Sequence, residues 1–214
     1  MKIKFGRNEL RDLFIAFLVI SLAFSIANSG RNLNAIITIL PIVMVGVGAG
    51  FIFHELGHKF VSMKYGYWAE FQLWAEGLIF ALITSFFGFV FAAPGAVYTY
   101  ADYMTDEING KISIAGPIVN IVLALIFLGI SVAVYPSALH SETMALIFTI
   151  GAVGYSINSF LAVFNLLPIG GLDGTKVLRW NIGIWLVTIV IAGILTAGSM
   201  TIGVQNIARI ILGM

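Results

Sequence analysis

Residues 35–53 carry no charged side chain, and His54-Glu55-Leu56-Gly57-His58 follows them directly. An uncharged run of that length is about what a helix needs to cross a hydrocarbon core. A carboxylate and two imidazoles at its end are costly there, so a functional site is the default reading. On a helix His54 and His58 lie one turn apart on one side. That spacing lets two imidazole nitrogens bind one tetrahedral zinc ion, and Glu55 beside them can take a proton from water at the ion. The chain has only three histidines, and two of them fall at this spacing around a glutamate.

The rest of the chain also reads as membrane protein. Hydrophobic residues make up 60% of the 214, and charged residues only 10%. A soluble chain averages about 25% charged. The sequence predicts an all-α polytopic membrane protein with about five to six transmembrane helices. The expected spans are 13–28, 35–65, 112–135, 142–167 and 180–202. Residues 1–214 read as a single membrane-embedded domain with a catalytic core over about 35–179. A net charge of +1 gives no sign of nucleic-acid binding, and the absence of cysteine excludes disulfides and thiolate metal sites. Lys2, Lys4, Arg7 and Arg11 precede the first apolar run, with Glu9 and Asp12 among them. Those acidic residues and the lack of a small-x-small cleavage site favour a retained anchor over a signal peptide.

Residues 71–98 are apolar but interrupted by Gly77, Gly88, Pro94 and Gly95. They are expected to enter the membrane and return as a re-entrant or β-hairpin segment between the second helix and the next full span. Residues 168–179 read as a loop, residues 136–141 as another, and residues 205–214 as a short tail. Pro117 reads as a helix start, where its missing N–H is harmless. Gly46, Gly48 and Gly50 resemble a nucleotide-binding glycine loop, but no strand precedes them, and close helix packing explains them better.

A hydrolytic zinc site usually has three protein ligands and one position open to water. With no cysteine, the third ligand is a carboxylate or His140. Asp173, flanked by glycines just past an apolar helix, is the best candidate; Glu70 and Glu76 remain alternatives.

Three motifs carry a family resemblance. They are His54-Glu55-Leu56-Gly57-His58, Ala115-Gly116-Pro117-Ile118-Val119-Asn120, and Asn165-Leu166-Leu167-Pro168 through Leu172-Asp173-Gly174. In this order they resemble the signatures of the site-2 protease family of intramembrane zinc metalloproteases. The resemblance implies that His54, His58 and Asp173 bind Zn2+ and that Glu55 is the general base. Asn120 and Asn165 match the family's motif asparagines. An amide in an apolar helix needs a partner. Each asparagine is therefore either a helix–helix hydrogen bond or a group that binds substrate backbone or the oxyanion. The lengths between motifs leave no room for the peptide-binding module that some relatives insert.

The expected function is hydrolysis of peptide bonds within or near transmembrane helices of membrane-protein substrates. Two alternatives are a membrane chaperone or sensor that binds zinc without hydrolysis, and a small ion transporter. The partners expected are a transmembrane protein substrate and the lipid bilayer. An integral protein of the cell membrane is expected: the basic N-terminus places the N-terminus and the active-site opening in the cytoplasm, and the loop 136–141, which has no Lys or Arg, on the opposite face.

Overall fold

The computed structural model describes residues 5–30, 32–101 and 103–214, so Lys2 and Lys4 lie outside the described residues. Helix α1 spans Arg7–Asn28 and α2 spans Leu33–Val47. A wider π-helical turn, Gly48–Ile52, joins α2 to α3, Phe53–Lys64. Strand β1 (Trp68–Leu73), helix α4 (Ala75–Ser85) and strand β2 (Gly95–Tyr100) follow. Then come α5 (Asp106–Ala138), α6 (Glu142–Asn165), α7 (Asp173–Trp180), α8 (Ile182–Ala197) and α9 (Val204–Leu212). Among the described residues, five helical stretches are long and apolar enough to cross a membrane: Arg7–Asn28, Leu33–Lys64, Asp106–Ala138, Glu142–Asn165 and Ile182–Ile202. Helices suit such a chain because they satisfy every backbone group internally, where lipid offers no partner.

The segment between α3 and α5 makes no crossing. β1 and β2 pair antiparallel, with Trp68 opposite Tyr100 and Leu73 opposite Gly95, so the chain returns to where it left. Helix α4 has 11 residues. At about 1.5 Å per residue it spans roughly half of a ~30 Å hydrocarbon core. The expected hairpin is therefore present, with a short helix at its tip. Gly95 is required in the ladder, since a Cβ there would lie 2.3 Å from the Gln72 carbonyl oxygen.

Packing follows small residues. A Cβ on Gly46 would lie 3.2 Å from Gly154 Cα, and one on Gly48 would lie 3.2 Å from the Phe17 ring. The alternating glycines thus bring α2 close to α6 and the π-turn close to α1, as small residues do where lipid supplies no hydrophobic drive. The main core joins Ala16 and Ile20 of α1, Val43 and Val47 of α2, Phe71 of β1 and Leu161 of α6. Leu186, Val187, Val190 and Ile194 of α8 are exposed and form a lipid-facing surface.

Four sequence expectations are corrected. Pro117 lies inside α5, not at a helix start. Proline is tolerated within membrane helices because neighbouring groups take up the backbone partners it displaces. Pro136 also lies inside α5, which runs on to Ala138. Residues 173–180 are the helix α7, so Asp173 opens a helix instead of sitting in a loop. Eight residues are too few for a hydropathy period to show. Residues 204–212 are helix α9, packed through Val204 and Ile207 against Phe127 and Tyr155.

Candidate metal centre

His54 and His58 sit in the first turns of α3, on the face toward α5. Gly116 makes room for them: a Cβ there would lie 2.5 Å from His58 Nε2 and 2.6 Å from His54 Nε2. Asp173 arrives from the other side. Helix α6 ends at Asn165, Gly170 adopts a positive φ of 57° in the turn, and α7 starts at Asp173. Gly174 lets this turn close, since a Cβ there would lie 2.0 Å from the Leu166 carbonyl oxygen.

Three ligand atoms converge. His54 Nε2 and His58 Nε2 are 3.0 Å apart, and Asp173 Oδ2 lies 3.3 and 3.1 Å from them. Ligands ~2.0–2.1 Å from a tetrahedral zinc sit roughly 3.3 Å from one another, so this triangle fits the ion. The other ring nitrogens fix the tautomers. His54 Nδ1 is 2.6 Å from Asn120 Oδ1, and His58 Nδ1 is 2.8 Å from the Ile112 carbonyl oxygen. Both oxygens only accept, so each Nδ1–H donates and each neutral ring turns its Nε2 lone pair to the shared point. Two lone pairs and a carboxylate oxygen at such distances form a donor set that a cation between them would satisfy.

Glu55 is buried beside the triangle, and its Oε2 has no hydrogen-bond partner among the described residues. It faces a cavity of about 510 Å³ that also meets His54, His58, Asp173, Asn165 and β2. A carboxylate oxygen left without a partner beside a metal site is a group free to take up a proton.

The remaining sequence candidates divide clearly. Asn165 lines the cavity, with its Nδ2 donating to the Leu161 carbonyl at 2.9 Å. Asn120 is fully buried, and both ends of its amide are bonded inside the protein. Glu70 bonds Tyr100 and Gln72 on the hairpin, Glu76 is exposed on α4, and His140 is exposed before α6; none joins the metal group. Sequence reasoning misses Asn158, which holds Asn120, and Lys176, whose Nζ lies 3.7 Å from Asp173 Oδ1. Lys176 is three residues after Asp173, a helical spacing that could have shown it.

Comparison with known proteins agrees with this geometry. No family model and no solved structure matches the chain. "Putative zinc metalloprotease MJ0611" of Methanocaldococcus jannaschii is 45% identical over 86% of this chain and 90% of its own length. "Putative zinc metalloprotease Rip2" of Mycolicibacterium smegmatis is 32% identical over 81% of this chain and 72% of its own. "Zinc metalloprotease MJ0392" of M. jannaschii is 27% identical over 80% of this chain, which spans 41% of that relative. With three motifs in order, a converged His-His-Asp triangle and these relatives, the chain belongs to the site-2 protease family of intramembrane zinc metalloproteases.

Proposed function

We propose that this protease cuts the transmembrane helices of other membrane proteins, and that its active site opens to the cytoplasm. The observation that carries the reading is the buried Glu55 carboxylate, whose Oε2 has no partner among the described residues, beside the three converged ligand atoms in one cavity. Zinc bound there supplies Lewis acidity and makes water a nucleophile at neutral pH. His54, His58 and Asp173 hold the ion. Glu55 accepts the proton of the attacking water and returns it to the leaving amine. Asn165, on the cavity wall, meets the substrate backbone, whereas Asn120 acts through His54.

A helical substrate hides its carbonyls in hydrogen bonds and must unwind before attack. β2 lines the cavity and, among the described residues, pairs with β1 alone, so its other edge offers backbone partners to an extended segment. The sidedness rests on charge. Arg7 and Arg11 of α1, Lys59 and Lys64 of α3, and Lys176 and Arg179 of α7 belong on one face, and basic residues favour the cytoplasm. Contact between Glu9 and Lys59 supports placing the start of α1 beside the end of α3.

The test is Glu55→Gln, which keeps the shape and removes the base. Purified in detergent, the variant should retain zinc and lose cleavage of a model transmembrane substrate by at least ~10²–10⁴-fold. Near-normal cleavage would refute the role, and a variant that cleaves without bound metal would refute the zinc mechanism.

A further inference from the structure

Asn158 lies on α6, one helix removed from the metal ligands, and is fully buried. Its Nδ2 donates to the Gly154 carbonyl at 2.8 Å and to the Gly46 carbonyl at 3.3 Å. Those two acceptors fix its amide, so its Oδ1 must point the other way. There it accepts from Asn120 Nδ2 at 3.1 Å. Asn120 Nδ2 has a second acceptor, the Gly50 carbonyl in the π-turn, at 3.0 Å. With both acceptors on that side, Asn120 Oδ1 is left for His54 Nδ1, 2.6 Å away. Gly50 keeps this space open, since a Cβ there would lie 2.9 Å from Asn158 Oδ1.

We propose that Asn158 is a positioning residue of the metal centre: through the amide of Asn120 it holds His54 in the Nδ1–H tautomer, with the Nε2 lone pair free for the ion. The inference rests on the zinc reading of the site. Without Asn158, one acceptor for Asn120 Nδ2 is gone. The Gly50 carbonyl alone then holds the Asn120 amide against a flip that presents its N–H₂ to His54 Nδ1, so the flipped form gains population. In the flipped form that nitrogen is the acceptor, the proton sits on Nε2, and His54 is withdrawn from the metal. His58 is independent of the relay because its Nδ1–H is bonded to the Ile112 carbonyl.

The experiment uses full-length protein labelled with ¹⁵N-histidine, which gives signals from only three histidines. Ring ¹⁵N shifts are read in metal-free protein, and zinc affinity is read by competition with a chelator. Asn158→Leu should move His54 toward the Nε2–H tautomer, leave His58 unchanged, and weaken zinc binding by ~10–100-fold, the usual effect of losing a partner behind a ligand. Asn158→Asp keeps an acceptor toward Asn120 and should restore the wild-type tautomer. Ile157→Ala opens a cavity at the same α2–α6 contact and should leave the tautomer unchanged. The proposal is overturned if Asn158→Leu retains the wild-type His54 tautomer, or if Ile157→Ala shifts it equally. A wild-type protein that binds no zinc would sink the metal reading, while the metal-free tautomer would still decide the role of Asn158.

Discussion

At the scale of single residues, the site depends as much on a missing side chain as on those present. Gly116 stands where any Cβ would meet both imidazoles. Gly116→Ala should therefore push the rings apart and weaken zinc binding by at least ~10-fold, comparable to disturbing a ligand's supporting partner. A chelator titration with wild-type affinity would show that the helix yields instead. Asp173→Ala removes one of three ligands, and elemental analysis should find less than one zinc per chain. Undiminished zinc would exclude Asp173 as a ligand. His54, Glu55 and His58 are legible in sequence because their spacing lies within one helical turn. Asp173 is distant in sequence, so its own residues leave alternatives, and only the set of motifs singles it out. Asn158 is not legible. A lone amide in an apolar helix announces that it needs a partner without saying which, and here the partner is another asparagine on a third helix.

At the scale of elements, a buried ion pair ties three of them together. Glu9 of α1 and Lys59 of α3 are each 1% exposed and 2.6 Å apart. Glu9 Oε1 also accepts from the Phe71 N–H of β1 at 3.3 Å, and Glu9 Oε2 from the Gly6 N–H at 3.2 Å. The Lys59 ammonium lies over the rings of Phe5 and Trp68. Removing one partner strands the other charge. Lys59→Met should thus lower stability by about 3–5 kcal/mol, and Glu9→Leu combined with Lys59→Met should recover much of that loss. Unfolding in mixed micelles measures both. A double variant as unstable as the single one would mean that the pair's worth is packing, not charge. Sequence reveals these helices through long uncharged runs, and it reveals the hairpin through glycines that interrupt a run. It does not reveal α7, too short for periodicity, or the passage of α5 through Pro117. Nor does it reveal the bond between His58 and the Ile112 carbonyl, a contact made by tertiary packing alone.

At the scale of the whole molecule, shared ligation fixes how the chain is threaded. His58 lies toward the end of one crossing, and Asp173 lies just past the end of another, Glu142–Asn165. For both to reach one ion, those two crossings must run in the same direction. Only one return crossing is then allowed between them. Helix α5 is that crossing, and the β1–α4–β2 segment, which closes on itself, adds none. The loop before α6 and helix α7 must therefore face opposite sides of the membrane, whichever side is the cytoplasm. Single cysteines test this without background, because the chain has none of its own. His140 and Arg179 are exposed and suit the purpose, whereas the Thr175 hydroxyl is buried and Ser141 caps α6. In sealed cells His140→Cys should react with an impermeant thiol reagent, and Arg179→Cys should react only after the membrane is opened. The reverse pattern would keep the shared site and invert the protein, placing the active-site opening outside. Labelling of both from one side would break the threading, and the single metal centre would fall with it.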